Sequence, residues 1–140
     1  MMEIVYDKEY AEISYDASQN MLFLQLKGVI EGNQYRDTFH KVLEIGREKD
    51  IKYLLVNQAT MQKSSMESKA WLIASWLPLV KKTFKEDIRV AIILSKNLFT
   101  KIGGEFVVSA VRKLSRFEVK TFSTAEEAQT WLLKDVQVED

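Results

Sequence analysis

The sequence predicts an α/β fold, a single mostly parallel (mixed) sheet with an antiparallel N-terminal hairpin and four helices. Three observations lead there. The chain opens with apolar alternation at period two, "AEISYDASQNMLFLQLKG". Two short apolar runs, "IKYLLVN" and "RVAIILS", are suited to strands buried on both faces. Between and after them lie segments whose apolar residues recur at helical spacing, which places the strands in crossover units and makes the sheet largely parallel.

Each element has its own local reason. In the hairpin, Ala11, Ile13 and Tyr15 share one side before a polar "DASQN" turn, and Leu22, Leu24 and Leu26 follow it. After Gly28 the period changes, and Tyr35, Phe39, Val42, Leu43 and Gly46 mark a helix over 32–49. The run "YLLVN" is the next strand, with a loop expected from Asn57 to Ser65. A helix over 65–83 follows, then a strand over 89–95. Phe106, Val107, Ala110, Val111 and Leu114 form a third helical stripe behind Gly103-Gly104. The segment "FEVKTFS" alternates as a more exposed strand, and "STAEEAQTWLLKD" closes with a fourth helix on which Ala128, Trp131 and Leu132 share a face.

At 140 residues, 46% of them hydrophobic, the chain has the size of one domain, with a core expected over 11–134 and fraying at 1–8 and 135–140. Zero cysteines exclude disulfides, thiol nucleophiles and cysteine-based metal sites. No basic run precedes an apolar stretch at the start, and the most apolar window, Trp71 to Val80, is too short to span a bilayer. A soluble cytoplasmic protein without a transmembrane segment is expected. Charge balances at 20 basic and 20 acidic residues, yet residues 81–120 hold ten Lys/Arg against four acids. A solvated face offset by neighbouring acids accounts for that run; an anionic partner or peripheral membrane contact is the alternative, and no nucleic acid is expected.

Candidate chemistry is sparse. His40 shares a polar helical stripe with Arg36 and Glu44, which places it toward solvent, with neither the partner nor the pocket a general base needs. No metal cluster, cofactor loop or nucleophile–base pair stands out, so the expectation is a protein without catalytic residues, metal or cofactor. Gly103 and Gly104 beside Lys101 read as a plain loop or, through backbone amides, a weak anion contact. Ser64 and Glu67 fit the capping-box pattern, as do Ser123 and Glu126 on the last helix.

The helix between the two central strands is richer than packing requires. Met66, Ala70, Ile73, Leu77, Val80 and Phe84 make one core-facing stripe. A second stripe, Leu72, Trp76 and Leu79, lies beside it, with Trp71 further round. That excess arc suits a neighbouring helix, a groove or a self-association contact. Pro78 adds a kink, since it cannot donate to the carbonyl of Ala74 and its ring crowds there.

These landmarks together resemble the STAS domains, in particular the SpoIIAA-like (STAS/SEC14-type) branch. The resemblance runs from about Ile13 to Leu133 and rests on the opening hairpin, "GVIEGNQYRDTFHKVLE", "YLLVNQATM", "AWLIASWLPLV", "RVAIILS" and "FSTAEEAQTWL". It implies a regulatory or protein-interaction module in which a serine at the start of the tryptophan helix is the phosphoacceptor. Ser64 and Ser65 hold those positions, although Lys63 stands where the family has an acid and no glycine follows. The expected contact surface is Asn57, Thr60, Trp71, Trp76, Pro78 and Leu79, for a protein partner or a second copy. The alternative is a small apolar ligand or lipid held against Trp71 and Trp76, with Lys81, Lys82 and Lys85 near its head group.

Overall fold

In the computed structural model the opening alternation forms an antiparallel hairpin of β2 (Ala11–Asp16) and β3 (Met21–Ile30), and a strand before it, β1 (Met2–Lys8), pairs antiparallel with β2. The described residues are 2–30, 32–64, 71–76, 78–79, 82, 88–93 and 118–133. The turn joining β2 to β3 is built by its polar side chains. Asp16 Oδ1 accepts from the Ser18 amide at 3.0 Å and from the Ser18 hydroxyl at 2.6 Å, and Asn20 takes the left-handed conformation at φ 54. The Ser18 bond also holds the Asp16 carboxyl below its ordinary pKa. Asn20 then ties the turn to the rest of the chain, donating through Nδ2 to the Asp50 carbonyl at 2.8 Å and accepting from the Lys52 amide at 3.1 Å.

The N-terminal segment corrects the expectation of fraying over 1–8. Met2–Lys8 pairs along its length with β2, from Met2 opposite Asp16 to Lys8 opposite Ala11. Backbone pairing holds it, and Val5 and Tyr6 pack against the core. Their contribution was hidden because Met2, Glu3, Ile4, Asp7 and Lys8 are exposed and mask any clean alternation.

Helix α1 (Asn33–Lys49) follows the predicted stripe, burying Tyr35, Thr38, Phe39, Val42, Ile45 and Gly46. It ends where Asp50 turns left-handed at φ 52 and the Ile51 amide returns to the Gly46 carbonyl. β4 (Tyr53–Ser64) and β5 (Arg89–Ile93) then join β3 in parallel, and β6 (Glu118–Phe122) closes a six-stranded sheet in sequential order β1-β2-β3-β4-β5-β6. Beyond Asn57, where a loop was expected, β4 keeps pairing with β3 as far as Ser64 opposite Ile30. Two register shifts and the positive φ of Gly28 absorb the mismatch along this stretch.

The apolar runs divide by parity into two cores. Leu22, Leu24, Leu54, Val56, Val90 and Ile92 face α1, while Met21, Leu55, Ala91, Ile93 and Phe122 face the closing helix α2 (Ala125–Leu132), with its buried Ala128 and Leu132. Arg89 anchors α2, donating to the Leu132 carbonyl at 3.0 Å and lying 5.5 Å from the centroid of the Trp131 ring. The third helical stripe, 106–114, and the tail, 135–140, lie outside the described residues.

The capping box on α2 sits one residue later than the sequence pattern suggests. Thr124 is the N-cap; its hydroxyl oxygen accepts from the Glu127 amide at 3.3 Å and lies 2.9 Å from Glu127 Oε1, to which it donates. Both Ser123-x-x-Glu126 and Thr124-x-x-Glu127 satisfy the pattern, and the structure uses the second. Thr124→Ala is therefore expected to cost about 1 kcal/mol in urea unfolding, against a few tenths for Ser123→Ala. The reverse order would restore the earlier register.

Candidate functional site

The tryptophan segment lies against α1, and its packing starts from the α1 aromatics. Tyr35 and Phe39, one helical turn apart, have ring centroids at 4.8 Å. Phe39 meets Trp76 edge to face at 5.1 Å, and Tyr35 meets Trp71 at 6.5 Å. Burial pushes the Tyr35 phenol above its ordinary pKa, so it remains a neutral hydroxyl. Thr38, fully buried on the same helix, donates its hydroxyl to the Gln34 carbonyl at 2.8 Å.

Trp76 corrects the sequence reading. It was expected in the contact surface, on a second stripe left open to a neighbouring helix, a groove or a self-association contact; its side chain is buried, and the indole Nε1 donates to the Phe39 carbonyl of α1 at 2.7 Å. Leu79, assigned to that same stripe, is 39% exposed. The two part company because Leu72–Trp76 forms a π-helical turn, whose wider pitch shifts residues on either side out of the 3.6-residue phase. Pro78 lies two residues beyond Trp76 in the sequence. Its missing N–H and its ring at the Ala74 carbonyl disfavour an ordinary α turn there, and the wider turn accommodates both.

On the outward side of this packing the described residues make a strip. Ala74, Ser75, Pro78, Leu79 and Lys82 are exposed, and Trp71 is half-buried at its head. Arg36 and His40 of α1 flank Trp71, the guanidinium carbon 5.7 Å from the ring centroid and the imidazole edge-on at 5.2 Å. His40 is exposed, as its polar stripe predicts. Its contact with Trp71 was missed because spacing within one helix carries no information about a neighbouring one.

The remaining candidates scatter. Asn57 is half-buried at the last pair between β4 and β5, and its Oδ1 accepts from the Ala59 amide at 2.9 Å. Thr60 pairs with Lys27 within β4, which removes it and Asn57 from the expected loop. Ser64 is the last residue of β4. Ser65, Lys81, Lys85, Lys101, Gly103 and Gly104 lie outside the described residues, as does the start of the predicted helix that Ser64 would cap. Three residues of the basic run are described: Lys82 is exposed, Arg89 packs on Trp131 and Lys120 on Phe122. Among the described residues no group of three His, Asp or Glu gathers to hold a metal, and no helix is long and apolar enough to cross a membrane.

No family model matches the chain, and a search of curated proteins returns no match. Among solved structures, the chain is similar to an uncharacterized protein of the DUF3478 family with a SpoIIAA-like fold from Shewanella loihica PV-4. The two are 20% identical over 94% of this chain and 92% of that one, with a TM-score of 0.53. The chain has a SpoIIAA-like fold. At that identity the likeness concerns the fold alone, and what a SpoIIAA-like fold does is decided by the groups grafted on it.

Trp76 supplies a direct check on this geometry. Trp76→Ala is expected to lose about 3–5 kcal/mol of stability, as for a buried core aromatic. Trp76→Phe, which keeps a ring and leaves one carbonyl lone pair unused, should lose about 1 kcal/mol. Equilibrium urea denaturation measures both, and a Trp76→Ala loss within the range of surface substitutions would mean that the ring is not core.

Proposed function

We propose that this protein is a non-catalytic, cytoplasmic STAS-like interaction module that docks a protein partner on the outward strip headed by Trp71. The observation that carries this reading is the exposure of Pro78 and Leu79 in line with half-buried Trp71, where a helix on a single sheet would present polar side chains. A half-buried tryptophan beside exposed apolar residues is the kind of anchor around which interface energy concentrates. Arg36, His40 and Lys82 border the strip, so an amphipathic segment with acidic residues at its flanks is the complementary partner. Among the described residues, His40 and Arg36 pack on the Trp71 ring, which suits recognition better than turnover.

The apolar-ligand reading draws on the same tryptophans. Trp76 is closed against Phe39 and bonded to its carbonyl, which leaves that reading a single tryptophan wall among the described residues.

A photo-crosslinking amino acid at Ser75, in the middle of the strip, tests the proposal inside cells that make the protein. It should yield a discrete protein adduct that falls roughly tenfold when Trp71→Ala or Leu79→Glu is added, the loss typical of a central contact residue. The same reagent at Gln129, exposed on α2, is the control. Adducts that form equally from both positions, or that ignore both substitutions, would overturn the docking strip.

A further inference from the structure

Strand β1 is the terminal strand of the sheet, and among the described residues no strand lies along its outer edge. A seven-residue edge strand is a template for pairing unless something disfavours it. Two features of β1 bear on that: charges at Glu3, Asp7 and Lys8, and a bulge between Ile4 and Tyr6. Together they leave one register open.

Residues directly opposite each other across strands point to the same side of a sheet. Glu3 lies opposite Tyr15, Tyr6 opposite Ile13 and Lys8 opposite Ala11, and those three β2 residues belong to the α1-side core or pack on it. Ile4 opposite Ser14 and Asp7 opposite Glu12 therefore point to the other side. Val5, the extra residue of the bulge, packs on the α1-side core as Tyr6 does. The sequence of sides from Glu3 to Lys8 thus reads the same in both directions about the Val5–Tyr6 peptide bond.

We propose that β1 pairs antiparallel with β1 of a second copy, centred on that peptide bond, joining two six-stranded sheets into one. In this register Glu3 of each copy faces Lys8 of the other, Val5 faces Tyr6, and Ile4 faces Asp7, with sides matched at every position. A twofold axis repeats each contact, giving two opposite-charge pairs and two aromatic–β-branched pairs on the α1 side. Neighbouring registers fail. Centring on Val5 sets Glu3 against Asp7, which are like-charged and on opposite sides; centring on Tyr6 sets Ile4 against Lys8, again on opposite sides. The bulge that would spoil regular edge pairing thus selects a single self-complementary one. Ile4, 58% exposed in the single chain, gains a neighbouring strand. The contact also closes on itself, since it uses up the β1 edge of both copies.

Charge exchange tests this pairing with residues that are exposed and dispensable for the core. Sedimentation equilibrium and native mass spectrometry on the full chain should show a dimer at high micromolar concentration. Glu3→Lys and Lys8→Glu should each weaken it about tenfold, since each turns two attractive pairs repulsive. The double variant Glu3→Lys/Lys8→Glu restores opposite charges in the reversed sense and should recover affinity to within about threefold. Thermal melting confirms that the variants stay folded. A monomer throughout the concentration range, a dimer indifferent to the single substitutions, or a double variant weaker than either single would each overturn the pairing. None of these results depends on the Trp71 strip, so the two proposals stand or fall separately.

Discussion

The hydrogen bond from the Trp76 indole to the Phe39 carbonyl, 2.7 Å long and buried, sets how the tryptophan segment meets α1. A buried indole N–H without a partner would cost about 1–3 kcal/mol, so the ring cannot turn away from α1 without penalty. Once Trp76 is fixed inward, the geometry of the segment determines what faces out. Trp71 stands beside Arg36 and His40, and Leu79 and Pro78 emerge on the outside beyond the π-helical turn. The inward bond and the exposed strip are consequences of one arrangement.

That arrangement depends in turn on the parity of the strands. Because Leu22, Leu54 and Val90 stand in register across β3, β4 and β5, and Leu24, Val56 and Ile92 do the same two residues on, one side of the sheet is a continuous aliphatic floor for α1 and Trp76. The intervening residues Leu55, Ala91 and Ile93 serve α2 on the other side. Small Ala91, fully buried, lies where α2 packs across β5, and Arg89 at the start of that strand holds the end of the helix. Short unbroken apolar runs are thus the price of having helices on both faces.

Strands and helices with unbroken periodicity were legible in the residues: the hairpin, α1, the starts of β4 and β5, and α2. Three features were not, and each has a physical reason. β1 is held mainly by backbone pairing, which no side-chain pattern reports. The extension of β4 to Ser64 depends on bulges and on a partner stretch of β3 that turns through Gly28. The orientation of Trp76 followed from a stripe counted at 3.6 residues per turn across a segment that does not keep that pitch. The site suffered more than the fold for the same reason. Pairing Trp76 with Leu79 was an inference about phase, and Pro78, the residue noted as a source of distortion, is next to the place where the phase is lost.

The two proposed surfaces are related by the symmetry that pairing through β1 would impose. Opposed residues share a side of the sheet, so a twofold axis through the β1 pair stands perpendicular to the joined sheet and keeps both α1 faces on one side. Each copy's Trp71 strip belongs to the segment packed on that face, through Tyr35 and Phe39. The dimer would then present two docking strips toward the same side, spaced by the intervening strands. A partner carrying two suitable segments, or itself a dimer, would engage both at once, and the second contact would form at an effective concentration fixed by that spacing. Modest affinity at each strip would then suffice for firm assembly, which fits a contact built on one half-buried tryptophan and two exposed apolar neighbours.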